Sequence, residues 1–229
     1  MESDRTVPVA LSARHVHLSP ADVEALFGPG YQLTPQSDLS QPGQFAAKEI
    51  VEVVGPRRSI PGVRVLGPAR GKTQVELSVS DGFLIGVNVP TRLSGDLGGS
   101  PGVHLIGPRG AVRLTQGVIS AMRHLHATPE DAARLGLKDG QRVYVRFAGP
   151  RSLIFDEVVV RVTDRSRLEL HLDTDEGNAA GLRSGERAEV IGSLCRDTCR
   201  KPDCGIAPSV QDGLGRPYCD FTRGGVSIR

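Results

Sequence analysis

The sequence predicts a mainly β protein made of two related small β-barrel domains, each capped by short α-helices. Three observations predict this fold class. A histidine-rich motif occurs twice, short stretches of alternating apolar and polar residues recur along the chain, and Gly-Pro pairs separate many of them. Alternation with a period of two is typical of half-buried strands, and Gly-Pro pairs mark turns. Many short strands with few helices favour a barrel or a sandwich.

The duplicated motif divides the chain into two related halves. The first copy, residues 14–22, reads Arg-His-Val-His-Leu-Ser-Pro-Ala-Asp, and the second, residues 123–131, reads Arg-His-Leu-His-Ala-Thr-Pro-Glu-Asp. Two chance copies are improbable in a chain with only six histidines. We therefore expect a first half at residues 1–96, a second half at residues 97–192 and an extension at residues 193–229. These boundaries are approximate, and strands can be exchanged between the halves.

Each copy predicts a strand, a sharp corner and a short helix. Residues two apart on a strand point to the same face, so His15 and His17 share one face, as do His124 and His126. A hydroxyl residue and a proline follow each pair, as in a helix that begins with an N-cap and a proline. The alternating stretches that contain the pairs are residues 7–18 and 118–127.

Seven other stretches predict most of the remaining strands. Their apolar residues alternate with polar ones, as in a strand with one buried face. They are residues 49–54, 63–66, 73–79, 112–115, 142–147, 157–162 and 168–172. A glycine-rich run at residues 95–102 marks the expected seam between the halves.

Composition excludes several classes of function. The 28 basic and 26 acidic residues nearly balance, and no basic stripe with interleaved aromatic residues predicts a nucleic-acid surface. No apolar run approaches the roughly 20 residues that span a bilayer. The acidic start, Met-Glu-Ser-Asp, lacks the apolar core of a secretory signal. We therefore expect a cytoplasmic protein that binds neither nucleic acid nor membrane.

The histidine pairs are the strongest chemical signal. Two imidazoles on one strand face can reach one zinc ion at about 2.0–2.1 Å each. A third ligand must come from another strand, and the candidates are His171 and Glu76. No neighbouring cysteine or methionine offers soft ligation, which favours zinc, while ligand type alone leaves nickel and cobalt as alternatives. The other interpretation, strand histidines without a ligand role, is weakened by the second copy.

Further motifs run in order from about residue 7 to about residue 192. They are Val-Ala-Leu-Ser-Ala-Arg-His-Val-His-Leu-Ser at 9–19, Asp-Leu-Ser-Gln-Pro-Gly-Gln-Phe-Ala-Ala-Lys-Glu at 38–49, Val-Leu-Gly-Pro-Ala-Arg at 65–70, Thr-Gln-Val-Glu at 73–76, Ser-Gly-Asp at 94–96, Ser-Pro-Gly at 100–102, Gly-Val-Ile at 117–119, Arg-His-Leu-His at 123–126 and His-Leu-Asp-Thr-Asp-Glu-Gly-Asn-Ala-Ala-Gly at 171–181. With these motifs the chain resembles the propanediol-utilisation type of phosphotransacylase, the phosphate propanoyltransferase family.

The resemblance implies paired β-barrels, a dinuclear zinc centre and coenzyme A as a substrate. On matching positions, one zinc is held by His15, His17 and Glu76, and the other by His124, His126 and His171. Arg70 matches the phosphate-binding arginine of the family. The positions that line the coenzyme A channel match Ser12, Arg64, Leu66, Phe83 and Asn178.

The implied activity is the exchange of a short acyl group between coenzyme A and inorganic phosphate. Phosphate is itself the nucleophile, which favours direct transfer over an acyl-enzyme. Two alternatives use the same residues. A zinc-dependent hydrolase of thioesters or acyl phosphates would use water as the nucleophile, and a non-catalytic paired-barrel module would use the histidines structurally. The length of the acyl chain and the physiological direction stay open.

The four cysteines lie outside the resembling region. Cys195, Cys199, Cys204 and Cys219 are expected to be thiols in a reducing compartment, and their spacing differs from that of paired C-x2-C ligands. A small metal site is the alternative.

The expected location also has an alternative. Some relatives carry an N-terminal peptide that targets bacterial microcompartments, but about seven residues precede the first matched strand, too few for such a helix. Contact of the tail with a microcompartment or a pathway enzyme is an alternative to free residence in the cytoplasm. We expect a homodimer.

Overall fold

The computed structural model describes residues 5–194, 210–211 and 217–220, which form mostly strands, with four short helices. The strands are β1 Thr6–Ser12, β2 His15–His17, β3 Pro35–Asp38, β4 Phe45–Val54, β5 Ser59–Gly67, β6 Gln74–Glu76, β7 Thr91–Arg92, β8 His104–Ile106, β9 Ala111–Arg113, β10 Val118–Ala121, β11 His124–Ala127, β12 Arg142–Phe147, β13 Leu153–Val162, β14 Glu169–Asp173, β15 Arg187–Leu194, β16 Val210–Gln211 and β17 Pro217–Asp220. The helices are α1 Pro20–Phe27, α2 Val79–Ile85, α3 Pro129–Leu135 and α4 Thr174–Ala180. The prediction of a mainly β fold with short helices is confirmed.

No helix among the described residues has both the length and the apolar character that crossing a membrane requires. Cys195, Cys199 and Cys204 lie outside the described residues, and only the strand position of Cys219 is described. The expectations for these cysteines therefore stay predictions.

One sheet closes into a six-stranded barrel. Its strand order is β1, β14, β11, β13, β12 and β15, and β15 pairs with β1 to complete the circle. β17 and β16 extend the sheet beyond β15. The large buried side chains of these strands include Leu125, Phe147 and Leu170, each at most 1% exposed. Closure pairs the edges of all six strands, which leaves the barrel without a free edge.

The other sheet is a half-barrel with nine strands. Its order is β7, β10, β6, β2, β5, β4, β8 and β9, and β3 pairs with β4. Val16, Val65, Val75 and Leu105 are fully buried in its hydrophobic core, and α1 packs against β9. The predicted pair of barrels is thus one closed barrel and one half-barrel.

The chain passes between two compact units at each copy of the duplicated motif. Of the described residues, one unit contains those up to Ala10, Arg123–His171 and those from Gly177 onward, and the other contains Leu11–Met122 and Leu172–Glu176. β1 belongs to the barrel and β2 to the half-barrel, whereas β10 belongs to the half-barrel and β11 to the barrel. The prediction of single strands at residues 7–18 and 118–127 is therefore wrong. Each stretch is two strands, divided where the arginine of the motif stands.

Helices α1 and α3 begin where the sequence predicts. The Ser19 hydroxyl accepts a hydrogen bond from the Asp22 backbone N–H at 3.1 Å, and the Thr128 hydroxyl accepts one from the Asp131 N–H at 3.1 Å. A proline follows each cap in the first turn. These caps satisfy backbone donors that have no partner within a helix, so each histidine strand ends at a fixed corner.

Candidate metal centres

The first candidate centre lies on three neighbouring strands of the half-barrel. β2 pairs in parallel with β5 and antiparallel with β6. Residues directly opposite one another on paired strands point to the same face, and they form two rows across β5, β2 and β6. The rows are Arg64–His15–Glu76 and Leu66–His17–Gln74. The pairing brings Glu76 to the histidines, as the sequence predicts.

The distances in this first centre suit a single cation. His15 Nε2 lies 3.4 Å from Glu76 Oε2, and His17 Nε2 lies 3.5 Å from Glu76 Oε1. Two ligand atoms on a tetrahedral zinc ion are about 3.3 Å apart when each bond is about 2.0–2.1 Å. His15 Nδ1 lies 2.8 Å from Ala13 O, so this nitrogen donates to the carbonyl and Nε2 keeps its lone pair. We conclude that the donor set fits a divalent cation.

Electrostatics favour the ligand forms of Glu76 and His17. Burial opposes ionisation of Glu76, but His15 and His17 outweigh it and hold the pKa of Glu76 well below its usual range. Burial lowers the pKa of His17. Burial also acts to lower the pKa of His15, but the charge and hydrogen bond of Glu76 outweigh it and raise that pKa. An ionised carboxylate and a neutral imidazole are the forms that coordinate metal ions.

A polar chain connects this centre to Arg70. Gln74 Nε2 donates to Glu76 Oε1 and, at 2.9 Å, to Ser94 Oγ. Arg70 reaches Ser94 Oγ with Nη1 and Gln44 Oε1 with Nη2, each at 3.4 Å. The sequence patterns indicate site roles for Arg70 and Glu76 but not for Gln74, Ser94 and Gln44. Gln74 stands two residues before Glu76 on β6, so the same alternation that selects Glu76 could have found it.

The second candidate centre lies on three neighbouring strands of the barrel. β11 pairs in parallel with β13 and antiparallel with β14. The two rows across β13, β11 and β14 are Val159–His124–His171 and Arg161–His126–Glu169. His171, the residue predicted to supply the third imidazole, thus lies directly opposite His124.

The three rings of the second centre surround a common point. His124 Nε2 and His126 Nε2 are 3.1 Å apart, and one nitrogen of each of the three rings lies within 4.8 Å of the others. Burial, followed by the neighbouring His124 and His171, lowers the pKa of His126 to about 3. Neutral imidazole nitrogens that converge in this way can share one cation.

Glu169 also belongs to this centre, although the sequence motifs do not single it out. Its Oε2 lies 2.8 Å from His171 Nε2. It stands two residues before His171 on β14, so alternation along the strand could have found it.

The five residues expected to line a coenzyme A channel lie on four different strands and helices. Arg64 and Leu66 flank the histidines of the first centre, and Arg64 Nη1 donates to Ala47 O and Lys48 O at 2.9 Å each. Ser12 ends β1, and Phe83 on α2 is 76% exposed. Asn178 is exposed on α4 and belongs to the compact unit of the barrel. Of this set, Arg64 and Leu66 are the residues that strand pairing places directly opposite histidines of a candidate metal centre.

Comparison with known protein families gives a match that contains all six candidate ligands. Residues 8–183 match the phosphate propanoyltransferase family. A phosphate propanoyltransferase of Thermotoga maritima is 53% identical over 184 residues, which cover 80% of this chain and 88% of that protein. One from Listeria monocytogenes is 48% identical over 185 residues, 81% of this chain and 87% of that protein. One from Enterococcus faecalis is 47% identical over 190 residues, 83% and 90% of the two chains.

Proposed function

This chain belongs to the phosphate propanoyltransferase family, and from that membership we propose that it exchanges a short acyl group between coenzyme A and inorganic phosphate. The observation that carries the proposal is the match over residues 8–183, because it includes both candidate metal centres and Arg70. The products in one direction are an acyl phosphate and free coenzyme A. Propanoyl and acetyl groups are the proposed acyl groups.

Two zinc ions per chain form the proposed dinuclear metal site. His15, His17 and Glu76 would hold one ion, and His124, His126 and His171 would hold the other. The support is the donor chemistry, since histidine nitrogens and one carboxylate at these separations suit zinc, with nickel and cobalt as alternatives. When bound, zinc supplies Lewis acidity that can polarise the thioester carbonyl and orient phosphate.

Arg70 is the proposed phosphate-binding residue. Its guanidinium is a planar fork that can donate two parallel hydrogen bonds to phosphate oxygens. Contacts with Ser94 and Gln44 at 3.4 Å restrict the orientation of that fork before phosphate arrives. Phosphate positioned in this way attacks the acyl carbon with one of its oxygens. The new C–O bond forms, the C–S bond breaks, and coenzyme A leaves as the thiolate.

Coenzyme A is proposed to contact five residues. They are Ser12, Arg64, Leu66, Phe83 and Asn178. Arg64 and Leu66 carry most of the support, since they stand beside His15 and His17 on the same sheet face. The exposed ring of Phe83 offers an apolar surface to a cofactor or to a second subunit.

The protein is further proposed to form a homodimer. Its proposed location is the cytoplasm, with a bacterial microcompartment as the alternative.

The test is an assay of thiol release from propanoyl-CoA and acetyl-CoA by the purified chain, with and without phosphate. We expect release that requires phosphate, yields acyl phosphate and stops when a chelator removes the metal. Release that is independent of phosphate would indicate the thioester hydrolase instead. A chain that binds zinc but releases no thiol from either substrate would indicate a non-catalytic module.

A further inference from the structure

Glu169 and His171 form a carboxylate–imidazole pair at the barrel centre. They are two residues apart on β14, so both side chains point to the same face of the sheet. Glu169 Oε2 lies 2.8 Å from His171 Nε2, and the side chains are 13% and 17% exposed, respectively. A carboxylate this close to an imidazole, with little water around it, forms a defined hydrogen bond.

For the contacts between a histidine nitrogen and a carboxylate oxygen, length separates a hydrogen bond from the spacing of two ligands on one cation. An N–H···O hydrogen bond measures about 2.7–3.2 Å, whereas two ligand atoms on a tetrahedral zinc ion are about 3.3 Å apart. The 2.8 Å between Glu169 and His171 falls in the first range. The distances of 3.4 Å and 3.5 Å between Glu76 and its histidines suit the second. Since an ionised carboxylate only accepts, the proton of this bond belongs to His171 Nε2.

We propose that Glu169 is a positioning residue of the barrel metal centre, which accepts the Nε2–H of His171 and thereby presents Nδ1 of that ring to the cation. The inference rests on the proposed function, because it requires a metal ion at the three histidines. A carboxylate bound to a histidine ligand fixes the ring and makes its free nitrogen more basic. In the half-barrel centre the roles of the nitrogens are reversed, since His15 Nδ1 donates to Ala13 O and leaves Nε2 for the cation.

The test measures which nitrogen of His171 carries the proton and which binds zinc. The full chain is labelled with ¹⁵N-histidine, its ring nitrogens are observed by NMR with and without zinc, and the signals are assigned with His171→Gln. In the metal-free wild type we expect the proton of His171 on Nε2. In the zinc-loaded wild type we expect Nδ1 to be bound to zinc. Glu169→Ala is expected to mix the two tautomers of the metal-free ring.

Zinc affinity supplies a second readout that does not depend on activity. Competition with a chelator should show that Glu169→Ala weakens one of two zinc equivalents by about 10- to 100-fold. Glu169→Gln should lose less zinc affinity than Glu169→Ala, because the amide oxygen of glutamine can still accept the Nε2–H of His171. The matched control is Glu189→Gln. Glu189 lies on β15 of the same barrel and contacts Arg146, so its substitution should leave the affinity for both zinc equivalents unchanged.

The outcomes separate this inference from the proposed function. A wild-type chain that binds no zinc would overturn the proposed function and, with it, any role of Glu169 toward a cation. A wild-type chain with two zinc ions in which His171 binds through Nε2 would overturn the role of Glu169 alone. Unchanged zinc affinity in Glu169→Ala would do the same.

Discussion

The half-barrel and the barrel carry their candidate centres on the same three-strand plan but with different donors. In both, a His-x-His strand pairs in parallel with one neighbour and antiparallel with the other. In the half-barrel the row with an arginine and a glutamate crosses the first histidine, as Arg64–His15–Glu76. In the barrel the equivalent row crosses the second histidine, as Arg161–His126–Glu169.

The arginine–glutamate row thus crosses different histidines in the two centres, although the strand pairing is the same. Strand pairing therefore sets the face and the separation of the donors, while the residue at each position sets the charge of the donor set. Glu76 lies opposite His15 and completes a donor set with one negative charge. His171 lies at the equivalent position of the barrel and completes a neutral set. The barrel carboxylate, Glu169, contacts the imidazole of His171 instead. The two centres are therefore expected to respond differently to equivalent substitutions.

Loss of one histidine is the strongest test of this comparison. His15→Ala and His124→Ala should each reduce the zinc content from two ions per chain to one, because each removes one of three donors. We expect acyl transfer to fall by about 10³-fold in each, the loss of several kcal/mol of charge stabilisation. Metal analysis and the thiol-release assay measure both effects. His104→Ala, at an exposed position of β8, is the matched control and should retain both ions. Full zinc content in His124→Ala would contradict the ligand assignment.

Arg70 connects to the half-barrel centre, and its loss should have the next largest effect. Arg70→Ala removes the charged hydrogen bonds that we propose this residue makes to phosphate, which are worth about 1.5–3 kcal/mol. We expect the KM for phosphate to rise about 10- to 100-fold, with little change in the KM for acyl-CoA. Steady-state kinetics over both substrates measure the two constants. Arg113→Ala, at an exposed position of β9, is the control. An unaltered dependence on phosphate would remove the proposed role of Arg70.

Exchange of the third donor tests whether the two sets are equivalent. Glu76→His gives the half-barrel centre three imidazoles, as in the barrel. We expect two zinc ions to remain, but acyl transfer should fall about tenfold, because Gln74 then loses one of its two acceptors, Glu76, at a cost of about 1–3 kcal/mol. Zinc content and turnover are measured on the same preparation. Loss of one ion would show that the half-barrel centre requires a carboxylate.

Among these substitutions, Ser94→Ala should have the smallest effect on acyl transfer. Ser94→Ala removes the hydroxyl that Arg70 and Gln74 both contact, a loss of about 0.5–1.5 kcal/mol. We expect the KM for phosphate to rise about three- to tenfold, with zinc content unchanged. The exposed Ser152→Ala is the control for the same change of side chain. A loss of zinc in Ser94→Ala would place this serine in support of Glu76 rather than Arg70.

Local patterns predicted much of this architecture. The helix caps at Ser19 and Thr128 follow from hydroxyl–proline pairs, and the predicted strand at residues 142–147 coincides with β12. The shared face of each histidine pair follows from the period of two along a strand. These features depend on neighbouring residues only, which is why one sequence suffices to predict them.

Other features depend on contacts between distant residues. The alternation shifts phase between Arg14 and His15, but periodicity along one stretch does not show that β1 and β2 belong to different sheets. The Arg14 guanidinium pairs with Asp81 Oδ1 at 2.7 Å at this break. The predicted strand at residues 73–79 is too long, because β6 ends at Glu76 and Ser78 caps α2. Only strand pairing shows that Glu169 lies opposite His126.

The seam between β1 and β15 has a consequence for the order of events during synthesis. Thr6 lies opposite Glu189, and Pro8 lies opposite Arg187, so the first strand of the barrel pairs with one translated about 180 residues later. The barrel is therefore expected to stay open on the ribosome until β15 emerges. The β2, β5 and β6 strands of the half-barrel are all translated by residue 76, so the candidate cation site on them can assemble much earlier. The ion proposed for the half-barrel centre is thus expected to bind a nascent chain before the ion proposed for the barrel centre.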